Sequence, residues 1–260
     1  MKFDLQGGAV IVTGGGGMLG RQHIEAIREI NGVPIALDIR EDHLADLDCP
    51  SQVVDISAED DLIEAAADIF KEHGCPVALI NNAAIDPKFE PAGPSLSRLE
   101  SFPLEQWERE MRVGLTGAML CARVFGSEMA QAGRGAIVNI ASDLGIIAPD
   151  QRLYRREGVA DHEQPVKPVT YSVIKHGLIG LTRYLATYWA EQGIRCNALA
   201  PGGVNNGHHP EFVERVAALV PLGRMAEKDE YRAAIQFLIT DASSYMTGQT
   251  LVMDGGRSTW

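Results

Sequence analysis

The sequence has few cysteines and no long apolar run. Its four cysteines are scattered among 260 residues without a C-x-x-C pair, so the sequence predicts neither a disulfide framework nor a zinc site. The first residues, MKFDLQGGAVIVT, place an acidic residue early and glycines inside the apolar stretch. This pattern fits neither a signal peptide nor a membrane span, and we expect a cytoplasmic protein with no membrane partner.

Basic residues are a minority. Lysine and arginine number 23 against 35 aspartates and glutamates, a formal net charge of -12, and no basic cluster stands out. Binding a phosphate backbone would require such a cluster, so we expect no nucleic-acid partner. His208 and His209 lie near Glu211, but adjacent residues point apart on an extended chain and rarely share one ion. We therefore predict no metal site.

The remaining composition favours one α/β domain spanning residues 1–260, because a single core can still grow at this length with 45% hydrophobic residues. Apolar runs predict seven strands: Ala9–Val12, Pro34–Leu37, Gln52–Val54, Val77–Ile80, Ala136–Ile140, Arg195–Leu199 and Thr250–Met253. Apolar residues spaced by three and four predict helices at Asp60–Glu72, Leu104–Gln131 and Tyr171–Gln192. This alternation indicates a Rossmann-type, doubly wound parallel sheet, with helices on both faces and a ligand site beyond the carboxyl ends of the strands.

A glycine-rich turn follows the first strand. Thr13–Gly20 reads TGGGGMLG, and a helical pattern continues from Arg21. Glycines here allow a tight turn and the close approach of a pyrophosphate to a helix N-terminus. Asp38 ends the second strand at about the expected ~20-residue spacing, where a carboxylate can bind the adenosine ribose hydroxyls. The sequence therefore predicts NAD as the cofactor and makes NADP the less favoured one.

These motifs, together with those at the later strand ends, resemble the short-chain dehydrogenase/reductase family from Phe3 to Gly256. The glycine spacing matches the extended branch of that family, with Met18 where its usual turn has a glycine. Asn81–Ala84 corresponds to the family's N-N-A-G motif. Pro201 and Gly202 correspond to the start of the segment that contacts the nicotinamide in the family. The resemblance implies the following cofactor contacts: Thr13, Gly14, Gly17, Met18, Leu19, Gly20, Asp38, Asp55, Ile56, Asn82, Ala83, Ala84, Tyr171, Lys175, Pro201, Gly202 and Val204.

The resemblance also implies a catalytic triad of Ser142, Tyr171 and Lys175. Tyr171 and Lys175 form the family's Y-x-x-x-K, and side chains four residues apart share one helix face. A free phenol, with a pKa near ~10, needs a nearby cation to act as a base, and Lys175 would supply it while also binding the nicotinamide ribose. Tyr171 would exchange a proton with the substrate oxygen, which Ser142 would orient.

One departure from the family affects the proton relay. The family usually carries an asparagine in a V-N-L-x-G context, and here that segment reads Val113-Gly114-Leu115-Thr116-Gly117. Three explanations stay open at this point: a water beside Gly114, a different proton route, or an impaired enzyme. We favour the first, because Ser142, Tyr171 and Lys175 are all present.

Two irregular segments, Ile146–Thr170 and Pro201–Pro210, should form loops near the site. The first, here called the substrate insertion, carries polar groups that suit a polyhydroxylated or acidic substrate, and we expect Arg152 and Arg155 to contact that substrate. It resembles members of the family associated with bacterial surface-sugar and flagellin-glycan biosynthesis. The same polar character would also suit a solvated insertion that supports an oligomer interface.

The predicted function is hydride transfer between NAD and a secondary alcohol or ketone of a small sugar-like substrate. A sugar-nucleotide epimerase or dehydratase is one alternative, although such enzymes usually carry a larger domain after the Y-x-x-x-K motif. A catalytically impaired NAD-binding module is the other. The family's pairing of long helices implies a homotetramer or homodimer.

Overall fold

A computed structural model describes residues 2–85 and 97–260 of the chain. Seven strands form one sheet: β1 Ala9–Thr13, β2 Val33–Asp38, β3 Ser51–Val53, β4 Ala78–Asn81, β5 Gly135–Ile140, β6 Ile194–Pro201 and β7 Thr250–Met253. Their order is β3-β2-β1-β4-β5-β6-β7, and every neighbouring pair is parallel. The predicted strands and the Rossmann-type sheet are confirmed.

The strand order reverses at β1. The chain runs outward from β1 through β2 to β3 and then returns to β4 on the other side of β1. Helices that follow β1 and β4 therefore leave toward opposite faces of the sheet, which opens a crevice at the carboxyl ends of these two strands. This crevice is the expected ligand site of such a sheet.

Both faces of the sheet are buried, which explains why its strands read as continuous apolar runs. Ile11 packs into a core with Leu62 and Phe125 on one face. Its neighbour Val10 packs on the other face with Ile24 and Leu238. Alternate residues of one strand thus enter different cores, as the twofold period of a strand requires.

The helices are α1 Met18–Arg28, α2 Glu41–Leu44, α3 Glu59–His73, α4 Leu104–Met111, α5 Gly117–Cys121, α6 Ser127–Gln131, α7 Val169–Tyr188, α8 Pro210–Ala217 and α9 Arg232–Ile239. The predicted helix Leu104–Gln131 is confirmed in extent, with π-helical segments Arg112–Thr116 and Ala122–Gly126 between its α-helical parts. Among the described residues, no helix is both long and apolar enough to cross a membrane.

Two helix starts differ from the sequence prediction by two residues or more. α1 begins at Met18 rather than Arg21, because Gly17 already has the extended backbone of an N-cap residue. α7 begins at Val169, so the last two residues of the substrate insertion belong to its first turn. The residue before this helix, Pro168, has an extended ψ of 142°.

Candidate active site

The glycine-rich turn after β1 needs its glycines for steric reasons. Gly14 has a φ of +62°, a conformation that favours glycine, and a Cβ there would lie 2.9 Å from the Cα of Ala83. A Cβ on Gly20 would overlap the carbonyl oxygen of Gly14. The turn is therefore tightly closed against both α1 and the end of β4.

Hydrogen bonds join this turn to the end of β4. The Thr13 hydroxyl accepts from the backbone N–H groups of Asn82, at 3.0 Å, and Ala83, at 3.1 Å. The Asn82 side-chain amide donates to the carbonyl oxygens of Thr13 and Gly14, at 3.0 and 3.1 Å. The sequence placed Asn82 in the cofactor cleft, and the structure shows that its amide also holds the turn in shape.

The N-terminus of α1 suits an anionic ligand. Its N-cap, Gly17, has no capping side chain, and the first turn contains no acidic residue. The first N–H groups of a helix lack intrahelical partners and carry partial positive charge. A dinucleotide pyrophosphate fits this combination of a glycine turn and a helix whose first turn carries no carboxylate.

Asp38 lies beside the same turn at the end of β2. It is buried, and its carboxylate accepts from the N–H of Gly16 at 3.2 Å and from the N–H of Arg40 at 3.1 Å. The Arg40 guanidinium, the nearest basic group after Asp38 in the sequence, is paired with Asp42, and this ion pair lowers the pKa of the Asp42 carboxyl. The geometry therefore places a buried carboxylate beside the glycine turn, next to an arginine that is already paired.

The other predicted cofactor residues lie at or just after the ends of β3, β4 or β6, or in the first turn of α1. Asp55 already accepts hydrogen bonds from the backbone and hydroxyl of Ser57, at 2.9 and 2.7 Å. Ile56 is buried and packs against Gly117. The remaining members stand at the ends of β4 and β6 and in the first turn of α1: Met18, Leu19, Ala84, Pro201, Gly202 and Val204.

Ser142 lies two residues after the end of β5 and is buried. Its hydroxyl donates to the Asp143 carboxylate at 2.8 Å and accepts from the N–H of Leu144 at 3.2 Å. Because parallel strands end at the same edge of the sheet, Ser142 lies on the edge that carries the glycine turn. The serine side chain is thus held from two directions.

Tyr171 and Lys175 lie in the first two turns of α7. Lys175 is buried, its Nζ donates to the Ile140 carbonyl oxygen at 2.7 Å, and it lies 5.7 Å from the centre of the Tyr171 ring. Since Ile140 ends β5 two residues before Ser142, this bond brings Lys175 to the serine end of the strand. A second cation, Lys167 Nζ, lies 3.7 Å from the Tyr171 ring centre, where the ring face attracts positive charge.

The space beside Gly114 is filled by a side chain. A Cβ on Gly114 would lie 2.8 Å from Cγ2 and 3.1 Å from Cδ1 of Ile174. A water taking the place of the family's asparagine side chain would therefore need a different position from the one we expected. Gly114 and Ile174 instead fit together as a small and a large residue at one contact.

The substrate insertion packs against α8. Leu153 is buried in a cluster with Val216 and Met225, and the Tyr154 and Phe212 rings lie 5.9 Å apart. The cluster joins the insertion and α8 into one packed unit beside the site.

Polar contacts hold the rest of the insertion. Gln164 is buried and bonds the N–H of Arg156 at 2.8 Å and the carbonyl oxygens of Arg156 and Val159 at 2.9 and 2.7 Å. The N–H of Val166 donates to the Ser97 hydroxyl at 3.0 Å. The insertion therefore has a defined conformation, although most of its length forms no regular secondary structure.

The two arginines expected to contact substrate are paired within the insertion. Arg152 donates to Asp150 through Nε at 2.8 Å and Nη2 at 2.7 Å, and this pairing lowers the pKa of the Asp150 carboxyl to about 2. Arg155 lies 4.0 Å from Asp161. Both arginine side chains are largely exposed, so a substrate would have to compete with these carboxylates for them.

Sequence reasoning missed a buried polar network under the site. The Asn139 side chain accepts from Asn81 and donates to Thr182, both at 2.8 Å, and so links β4, β5 and α7. Glu110 is also buried and accepts hydrogen bonds from Gln106 and from Thr170, the residue before Tyr171. The polar residues inside the apolar strands were a sequence signal for the bonds of Asn139. The hydrogen bond from Thr170 to Glu110 depends on packing between helices.

Comparison with known proteins gives a consistent picture. A family model described as Enoyl-(Acyl carrier protein) reductase matches residues 35–258. The chain is 31% identical to the galactitol 2-dehydrogenase (L-tagatose-forming) of Cereibacter sphaeroides, with 99% of this chain and 98% of that protein covered. It is 29% identical to the NAD-dependent glycerol dehydrogenase of Listeria innocua, with 98% and 95% covered.

A longer relative and a solved structure add to this similarity. The uncharacterized short-chain type dehydrogenase/reductase y4vI of Sinorhizobium fredii is 32% identical over 96% of the chain, which spans only 43% of that protein. The crystal structure of a short chain dehydrogenase from Leptospira borgpetersenii with bound NAD+ matches with a TM-score of 0.84 at 28% identity. That match covers 98% of this chain and 94% of the other.

Proposed function

Because the chain belongs to the short-chain dehydrogenase/reductase family, we propose that it is an NAD-dependent oxidoreductase that acts on a secondary alcohol or ketone. One observation carries the proposal. The Lys175 ammonium binds the end of β5, two residues before Ser142, and lies on the same helix face as Tyr171. This bond supports the proposal that Ser142, Tyr171 and Lys175 act together at the strand edge that also carries the glycine turn and Asp38.

NAD bound at the glycine turn would supply the hydride acceptor for alcohol oxidation. Tyr171 takes the proton of the substrate hydroxyl, and the Lys175 ammonium favours the phenolate that this step requires. Ser142 binds the same substrate oxygen and fixes its position. In the reducing direction Tyr171 returns the proton to the carbonyl oxygen.

We propose that the substrate is polyhydroxylated. The relatives named for galactitol and glycerol support this class, as do the polar groups of the substrate insertion. The finer resemblance to surface-sugar and flagellin-glycan enzymes stays a prediction from the sequence, as does a cytoplasmic location. So do the individual roles of the cofactor-contacting residues.

The direct test measures NADH formation at 340 nm with a panel of galactitol, glycerol, D-threitol and gluconate. We expect turnover of at least one polyol by the wild type, and a loss of about 10²- to 10⁴-fold in kcat for Tyr171→Phe, as removal of a general acid–base group predicts. NAD+ affinity should be largely retained in that variant. A variant that keeps more than about a tenth of wild-type kcat would contradict the role of Tyr171.

The same assay separates the alternative functions. An epimerase or dehydratase would convert its substrate without net NADH formation. An impaired NAD-binding module would bind NAD+ but show no turnover of any compound in the panel. Either result would replace the proposed oxidoreductase activity.

We propose a homodimer or homotetramer built from a single domain. Tyr184 and Tyr188 stack on α7 with ring centres 5.5 Å apart, and both are about three-fifths exposed, at 61% and 60%. Leu104, at the start of α4, is 69% exposed. Apolar side chains on these two helices support pairing between copies, and a monomeric mass by light scattering at micromolar concentration would exclude it.

A further inference from the structure

A buried ion pair joins Ser142 to a distant part of the chain. Asp143 and Arg257 are 3% and 9% exposed, and Arg257 Nη1 lies 3.0 Å from Asp143 Oδ2. The other carboxylate oxygen, Oδ1, accepts from the Ser142 hydroxyl and from the N–H of Leu144, both at 2.8 Å. One carboxylate therefore connects a guanidinium to the hydroxyl of the proposed substrate-binding serine.

The position of Arg257 is fixed by the segment that carries it. It begins a 3₁₀ turn, Arg257–Thr259, that follows Gly255 and Gly256, both in the left-handed region. The Asp254 carboxylate accepts from the N–H groups of Gly256 at 2.9 Å and Ser258 at 2.8 Å. The guanidinium is thus held by a defined turn rather than by a loose chain end.

We propose that Arg257, acting through Asp143, positions the Ser142 hydroxyl and sets its hydrogen-bonding state. The inference rests on the proposed function, in which Ser142 binds the substrate oxygen. The hydroxyl has a single proton, and in this structure Asp143 accepts it. A substrate oxygen that gains negative charge needs the same proton, so Asp143 and the substrate compete for it.

Arg257 decides how strongly Asp143 competes. A guanidinium bound to the carboxylate withdraws negative charge from it, which weakens its hold on the serine proton. It also offsets a charge that would otherwise repel the developing negative charge on the substrate oxygen. Without Arg257, a buried and uncompensated carboxylate would retain the proton and oppose the reaction. Arg257 and Asp143 are therefore positioning residues for Ser142.

A purely structural ion pair would behave differently, because its loss would lower stability without a specific effect on turnover. The matched control is Arg195→Met. Arg195 is a partly buried arginine at the start of β6, where it donates to the Ser243 hydroxyl at 2.7 Å and to the Thr240 carbonyl oxygen at 3.0 Å. It lies at the opposite end of the parallel strands from Ser142, so it reports the cost of removing an ordered arginine alone.

The main test compares kcat and KM of Arg257→Met, Arg257→Lys, Asp143→Asn/Arg257→Met and Arg195→Met, with the best polyol of the panel. We expect Arg257→Met to lose about tenfold or more in kcat, in the range of weakened oxyanion stabilisation, with KM for NAD+ changed less than about twofold. Arg257→Lys should restore part of kcat. The double variant should restore most of it, because an asparagine keeps the acceptor oxygen without the charge.

Three outcomes would overturn the proposal. They are a kcat of Arg257→Met within about twofold of wild type, an equal loss in Arg195→Met, or no recovery in the double variant. If Arg257→Met does not fold, the two double variants Asp143→Asn/Arg257→Met and Asp143→Ala/Arg257→Met are compared instead. Neither double variant leaves a buried charge, and only the asparagine variant keeps an acceptor oxygen for the Ser142 hydroxyl. Positioning predicts a lower kcat for the alanine pair, and equal kcat values would refute it.

A failure of the proposed function would be recognised separately, as no turnover by the wild type. The positioning of Ser142 can then be read from crystal structures of the wild type and of Asp143→Ala/Arg257→Met. We expect the Ser142 hydroxyl to leave its present position in the variant. An unchanged hydroxyl position would overturn the inference whatever the reaction.

Discussion

Replacing His23 with leucine is expected to make the protein more resistant to acid. His23 lies on the buried face of α1 and is fully inaccessible to solvent. Among the described residues, neither ring nitrogen has a hydrogen-bond partner. Burial lowers the pKa of His23 from 6.5 to about 4, and the neighbouring Asn82 side chain opposes this only in part.

The pKa of His23 in the folded state lies below its ordinary value, so the neutral form is favoured on folding. The contribution of the neutral imidazole to the free energy of unfolding is therefore complete above pH 6.5. It is lost as the pH falls toward 4. The separation between the two pKa values corresponds to about 3 kcal/mol at full protonation. At about pH 5 the expected loss in the free energy of unfolding is about 2 kcal/mol.

Urea unfolding of the wild type and of His23→Leu, followed by circular dichroism at about pH 7.5 and about pH 5, measures this loss directly. Protein concentration should be equal throughout, because self-association would add to the apparent stability. The wild type should lose about 2 kcal/mol more than the variant between the two pH values. His162→Gln, which replaces an exposed imidazole in the substrate insertion, controls for replacing a histidine. Parallel pH dependence of the wild type and His23→Leu would refute the reasoning.

Three further predictions test other parts of the structure. Asp38→Ala should narrow the preference for NAD over NADP, measured as the ratio of kcat/KM values, because a carboxylate at the ribose repels a 2′-phosphate; an unchanged ratio would contradict this role. Gly114→Ala should lower the free energy of unfolding, measured with urea, by about 1–3 kcal/mol, because it forces a Cβ against Ile174, and this loss should be smaller in an Ile174→Ala background than in the wild type. If the losses of the two single variants add up fully in the double variant, the contact between position 114 and Ile174 does not cause the destabilisation. Replacing both Arg152 and Arg155 with alanine should raise KM for a polyol less than about fivefold, since exposed ion pairs contribute about 1 kcal/mol or less; a larger rise would show that these arginines bind the substrate.

The sheet could be predicted from the sequence because its strands are buried on both faces. Runs such as Ala9–Val12 and Ala136–Val138 contain no polar residue that could confuse them with surface segments. Once the strands are placed, the parallel topology brings Asp38 and Ser142 to one edge without further information. The positions of these two site residues were therefore predictable, whereas their catalytic and binding roles stay predictions.

Other features of the site depend on contacts that no local pattern encodes. The π-helical segment Arg112–Thr116 keeps the apolar spacing of an ordinary helix, so periodicity does not distinguish it. Arg257 and Asp143 are 114 positions apart, and each reads as a surface charge in its own stretch of sequence. The fit of Gly114 against Ile174 is likewise visible only after α7 has packed.

The packing of the substrate insertion on α8 limits which segments can be exchanged with a relative in a chimera. A chimera that receives only a foreign segment 146–170 would lose Leu153 from its cluster and leave Val216 and Met225 exposed to water. It would also lose the bond from the Arg215 guanidinium to the Arg155 carbonyl oxygen, at 2.8 Å, unless the new backbone followed the same path. The smallest exchangeable unit is therefore the insertion together with α8, although most of α7 and all of β6 lie between the two along the chain.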